Sequence, residues 1–145
     1  MSLDAATLSL VADELKATLL DAKIDKIFEP TRDEVLVTLR TRTDTYRLLL
    51  SARVCLTKES FENPLTPPGF CMLLRKHLTG GRLIDLRREP GDRIVYFDFR
   101  CTNEMGDLVT NTLAAELMGR YSNLVLVQDG RIIDALKRVD FEDSE

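Results

Sequence analysis

Two short clusters in this chain are candidates for a recognition surface. Asp92-Arg93 follows Pro90-Gly91, at the start of a strand-like stretch holding Val95, Tyr96, Phe97 and Phe99. An arginine there can bind a phosphate or a base edge through two parallel hydrogen bonds. An aspartate can accept from a base amine or a ribose hydroxyl. The pair also has a plain reading as exposed hairpin-tip chemistry. The second cluster is Glu116-Leu117-Met118-Gly119-Arg120, with Asn123 close behind. Apolar residues, then glycine, then arginine describe a strand end with close backbone approach at Gly119. Its plain reading is a strand-to-turn junction with a solvated Arg120. Arg75, Lys76 and Arg82 form a third candidate, a basic patch beside the apolar stripe of a short helix.

Catalytic constellations are harder to assemble. His77 is the only histidine, on or near the apolar side of its helix, where a satisfied core residue is the ordinary outcome. Gly80-Gly81 lacks the following Lys-Ser/Thr of a phosphate-binding loop. Cys55, Cys71 and Cys101 are odd in number, widely spaced and without a CxxC, so no metal site is expected. They read as buried small hydrophobes in a reducing compartment. The expectation is a recognition domain without enzymatic activity, metal or cofactor.

These residues need elements to position them. A first helix is predicted over residues 5–20, with Asp4 as N-cap and Leu8, Val11, Ala12, Leu15 and Leu19 as its stripe. Ile24, Lys26 and Phe28 alternate with Asp25, Ile27 and Glu29. Val35, Val37 and Leu39 alternate with Leu36, Thr38 and Arg40, and residues 46–50 follow a polar turn. Connections this short make an antiparallel meander. Pro67-Pro68 opens a second helix that runs to Leu78, with Phe70, Leu73, Leu74 and Leu78 inward, Arg75 and Lys76 outward, and Gly80-Gly81 as its stop. Strands are predicted over residues 82–88, 93–101, 108–118 and 123–127, with 132–136 as a further one. The expected fold class is α+β: a twisted antiparallel sheet or two-layer β-sandwich with two main helices. No repeat or low-complexity segment is visible. Residues 1–139 read as one domain and the acidic residues 140–145 as a tail or the start of a linker.

The composition suits an ordinary soluble domain of 145 residues, 44% hydrophobic and 30% charged. No apolar run approaches the roughly 20 residues that span a bilayer, and no secretory signal is seen. The net charge of −4 is unevenly spread: residues 63–100 carry 7 Lys/Arg against 4 Asp/Glu, whereas residues 101–145 carry 4 against 9. That balance disfavours indiscriminate coating of nucleic acid and suits a bounded phosphate-contacting patch.

The run NPLTPPGFCMLLRKHLTGGRL (residues 63–83) is also the core of a family resemblance. With IDKIFEPTRDEVLVTLR (24–40), YRLLLSA (46–52), LTKESFENP (56–64), Asp92-Arg93 and ELMGRYSNLVLV (116–127), it resembles the N-terminal domain of the NFACT family. That family includes bacterial RqcH, also known as the fibronectin-binding protein FbpA, and eukaryotic NEMF. The resemblance covers nearly the whole chain in order. It implies a domain like the N-terminal domain of formamidopyrimidine-type DNA glycosylases. The Pro-Glu start those enzymes use is replaced here by Ser2 and Leu3, so a DNA-repair function is the weakest reading. The resemblance further implies a cytoplasmic role in ribosome-associated quality control. There the full protein binds a large ribosomal subunit obstructed by peptidyl-tRNA and recruits alanyl-tRNA for alanine tailing, the ribosome itself making the bond. It implies tRNA contacts by Asp92, Arg93, Glu116, Leu117, Met118, Arg120 and Asn123. The chain departs from the family at Arg53, which directly follows Ser51-Ala52 where relatives have a longer turn, and at Tyr121, where many have histidine. The family's older name implies an alternative, a fibronectin or fibrinogen adhesin, against which stand the missing signal, anchor and disulfide framework.

Overall fold

A computed structural model describes residues 5–31, 34–51, 54–58, 69–88, 93–117 and 122–136, with residues 5–9 as backbone only. Helix α1 (Ala5–Leu19) leads into β1 (Lys23–Thr31), β2 (Glu34–Arg40), β3 (Thr45–Leu50) and the short β4 (Val54–Leu56). Helix α2 (Gly69–Leu78) then leads into β5 (Arg82–Arg88), β6 (Ile94–Thr102), β7 (Leu108–Glu116), β8 (Asn123–Gln128) and β9 (Arg131–Ala135). The strands form one antiparallel sheet in the order β4-β3-β2-β1-β5-β6-β7-β8-β9. The sheet is therefore hydrogen-bonded from end to end and has two wings, which agrees with the expected α+β class and, of its two forms, with the antiparallel sheet. A single core cluster draws on both wings, from Val35, Leu48 and Leu50 to Phe97, Leu113 and Leu126. The expected N-cap Asp4, the Pro67-Pro68 helix start and the tail beyond residue 139 lie outside the described residues.

The wings meet where β1 and β5 leave their helices, and the two halves repeat each other there. The amides of Asp21 and Leu83 donate to the carbonyls of Leu83 and Ala22, at 2.8 and 2.9 Å. The amides of Gly80 and Ile24 donate to the carbonyls of Ile24 and Gly81, at 2.9 and 2.8 Å. Exchanging Asp21 with Gly80, Ala22 with Gly81 and Ile24 with Leu83 maps this set onto itself, so the seam has a local two-fold. Asp21 and Gly80 both hold positive φ, 69° and 84°, in the turn after each helix. The first strand of each half carries a register shift at the matching place, between Ile24 and Lys26 and between Leu83 and Asp85. Leu15 and Leu19 match Leu74 and Leu78, all buried. The helices are exchanged, α1 packing on β5 and α2 on β1. Few identities survive between the halves, which is why no repeat is visible in the sequence.

The β1 shift also corrects the expected alternation. Ile24 and Ile27 are both buried and Lys26 is exposed, because the extra residue of a bulge changes which face the chain presents. On α2, Phe70, Leu74 and Leu78 are buried and Leu73 is half-buried, as the stripe predicts, and Lys76 is exposed. Arg75 departs from expectation. Its Nε donates to the Ile27 carbonyl at 2.8 Å and its guanidinium lies 5.5 Å from the centre of the Phe28 ring. The long side chain folds back onto β1 and covers apolar surface.

Glu29 is buried on β1 with Oε1 unpaired among the described residues, and burial raises its pKa above the ordinary value of 4.5. A carboxyl raised in the folded state contributes most favourably below its unfolded pKa, and that contribution is lost as pH rises toward the folded value. Glu29→Gln should therefore raise the thermal midpoint at pH 7 and leave it unchanged near pH 4. A lower midpoint at pH 7 would show that the ionised carboxylate is stabilised instead.

Candidate nucleic-acid interface

Alternation of Val95, Phe97, Phe99 and Cys101 into the core fixes β6 and leaves Arg93 at its entrance. Arg93 is exposed, and no acceptor for its guanidinium stands among the described residues. Its carbonyl accepts from the Leu117 amide at 2.8 Å, tying the start of β6 to the end of β7. Ile94 pairs with Glu116, and Glu116 pairs with Asn123 across β7 and β8. Residues directly opposite on antiparallel strands share a face. The structure thus brings Arg93, Glu116 and Asn123 to one end of the sheet, with Glu116 and Asn123 half-buried side by side.

Leu117 reaches the same corner differently. It is only 3% exposed, so its side chain belongs to the core and can offer a ligand nothing beyond its backbone. Asn123 is held in place, its Oδ1 accepting from the Leu124 amide at 2.9 Å. Asp92, Met118 and Arg120 lie outside the described residues, as does Tyr121.

Arg75, Lys76 and Arg82 do not make one patch. Arg75 is committed to β1. Lys76 lies 3.5 Å from Glu104 of the β6–β7 turn, and Arg82 stands exposed at the start of β5. Two further features depend on strand register and carried no signal in the linear sequence. Asp98, 8% exposed, takes Arg87 Nε and Nη2 at 2.6 and 3.0 Å and the Thr112 hydroxyl at 2.6 Å. The hydrogen bond to Asp98 raises the Arg87 pKa, and the guanidinium lies 4.8 Å from the Tyr96 ring centre. Arg87 is therefore spent within the sheet.

The second feature is a cavity of about 410 Å³ between the end of α2 and the β6–β7 turn, lined by Lys76, His77, Glu104, Met105, Asn111 and Gln128 among others. Asn111 Nδ2 donates to the His77 carbonyl at 2.7 Å. Burial, then the neighbouring Lys76, lowers the His77 pKa, partly offset by Glu104. Among the described residues, no three His, Cys, Asp or Glu side chains cluster as metal ligands would. No helix among them is long and apolar enough to cross a membrane.

The described residues thus form an antiparallel sheet with two exchanged helices, and at one end of it stands an exposed arginine without an acceptor among them. Comparison with known proteins gives the family: the one described as NFACT N-terminal and middle domains matches residues 4–145, and the chain belongs to it. The chain is 38% identical over 148 residues to the Rqc2 homolog RqcH of Streptococcus suis, covering 97% of this chain and 27% of that protein. It is 31% identical over 144 residues to ribosome quality control complex subunit 2 of Saccharomyces cerevisiae, covering 97% of this chain and 13% of that protein. The crystal structure of the N-terminal domain of fibronectin-binding protein PavA from Streptococcus pneumoniae superposes with a TM-score of 0.88 at 37% identity, over 92% of this chain and 53% of that one. The chain therefore spans about a quarter of the length of the RqcH relative it matches.

Proposed function

We propose that this chain is the tRNA-binding domain of a ribosome-associated quality-control factor, and that it positions alanyl-tRNA on an obstructed large ribosomal subunit without making or breaking a bond itself. The observation that carries this reading is Arg93: exposed, without an acceptor among the described residues, and fixed by backbone hydrogen bonding to Leu117 at the same end of the sheet as Glu116 and Asn123. An unpaired guanidinium suits phosphate or a base edge, and the neighbouring carboxylate and amide add acceptors that a bare phosphate site would not need. Asp92, Met118 and Arg120 join the set through their sequence positions. Membership of a family with quality-control relatives supplies the ribosomal context.

The test is to purify the full-length protein that contains this chain from cells and to sequence the RNA bound to it. Enrichment of tRNA, alanine acceptors above all, together with large-subunit RNA is the expected result. RNA at background level would sink the proposal. A second reading, adhesion to fibronectin, is favoured by the superposition on PavA. It predicts saturable binding to immobilised fibronectin and exposure of the protein on intact cells.

A further inference from the structure

We propose a second RNA contact in this domain, a row of four cations that crosses the seam of the sheet and holds the phosphate backbone. The site goes beyond the Arg93 corner but rests on the same reading of the domain as RNA-binding. Strand register places Arg40 opposite Lys23, Lys23 opposite Arg82, and Arg82 opposite Arg100. All four side chains are exposed, while Ile24, Leu39, Leu83 and Phe99, one position along each strand, are buried on the other face. Adjacent strands lie about 4.8 Å apart, so the row is about 14 Å long. Threonines end it on both sides, Thr45 opposite Arg40 and Thr110 opposite Arg100.

Like charges directly opposite one another on a sheet repel and destabilise it. Carboxylates would relieve the repulsion, yet among the described residues only Arg40 has one, Asp25 at 3.2 Å. Lys23, Arg82 and Arg100 have no side-chain hydrogen bond or ion pair among the described residues. This concentration of positive charge stands in a chain of net charge −4, so general basicity does not account for it. A linear polyanion meets such a row better than a single phosphate does, because each nucleotide brings one charge. Threonine hydroxyls at the ends donate to phosphate oxygens. The row lies about 23 Å along β6 from Arg93, at a rise of about 3.3 Å per residue.

The test uses the 145-residue chain and a fluorescein-labelled 20-nucleotide oligouridine, read by anisotropy across a series of salt concentrations. Lys23→Gln with Arg82→Gln and Arg100→Gln should weaken binding about 10- to 100-fold and flatten the dependence of log affinity on log salt by about two units, one per lost phosphate contact at most. Its thermal midpoint should hold or rise, since repulsion has been removed. The charge-conserving set Lys23→Arg, Arg82→Lys and Arg100→Lys should keep the salt slope, and loss of slope there would overturn the proposal. Unchanged affinity and slope in the glutamine variant would overturn the row and leave the Arg93 site standing. Failure of the wild-type chain to bind either oligouridine or tRNA would overturn both. Binding to phosphatidylserine vesicles that the glutamine variant loses, with RNA affinity unchanged, would assign the row to a membrane surface and overturn it as an RNA site.

Discussion

Asp92→Ala combined with Arg93→Ala, in the full-length protein, should abolish alanine tailing while leaving the thermal midpoint of the domain within a degree or two of wild type. Arg93 is exposed and its side chain makes no hydrogen bond or ion pair among the described residues, so its removal should take little from the fold. Surface changes of this kind usually stay within about ±0.5 kcal/mol. One arginine contact to nucleic acid is worth roughly 1–3 kcal/mol, which weakens tRNA occupancy by one to two decades. The measurement is tRNA co-purification and nascent-chain tailing beside a thermal melt. Normal tailing by a well-folded double variant would remove this pair from the site.

The largest expected effect on stability is at Gly81, on the seam beside Arg82. A Cβ added there would stand 2.7 Å from Cys101 Sγ and 2.8 Å from the Leu78 carbonyl oxygen. Its counterpart across the local two-fold, Ala22, carries a Cβ and is fully buried. The backbone arrangement therefore tolerates a methyl group in one half, and in the other Cys101 already fills the space. Gly81→Ala should cost about 1–3 kcal/mol through overpacking, each kcal/mol being worth about 4 °C of thermal midpoint in a domain of this size. Cys101→Ala vacates that space, so the two substitutions together should cost less than their separate effects added. Strict additivity would show that the Leu78 carbonyl, and not the thiol, sets the limit.

Periodicity made most of the elements legible. The alternation through Val95, Phe97 and Phe99 placed β6, and the Phe70–Leu74–Leu78 spacing placed the buried side of α2. β4 is three residues long, too short for any alternation to show, and was not anticipated. The bulge in β1 was hidden for another reason: a single extra residue leaves composition unchanged and reveals itself only through its partner strand. The site divides in the same way. Arg93, Glu116 and Asn123 could be singled out by residue type and family resemblance. Their adjacency, and that of Arg40, Lys23, Arg82 and Arg100, is a property of register, which joins residues far apart in the chain. Leu117 shows the converse: its place in the motif said nothing of which way its side chain faces.

The exchange of helices across the seam also sets a timetable for folding. α1 is complete after nineteen residues, but its docking partner β5 ends at Arg88. During synthesis the first helix and its meander must wait, their apolar faces uncovered, until α2 and β5, the opening elements of the second half, have left the ribosome. Isolated helices of this length are marginal in water, so α1 gains its stability only on docking. Pairings this distant in sequence close slowly. The domain thus cannot be assembled one half at a time, and chains halted before β5 have no route to the native core.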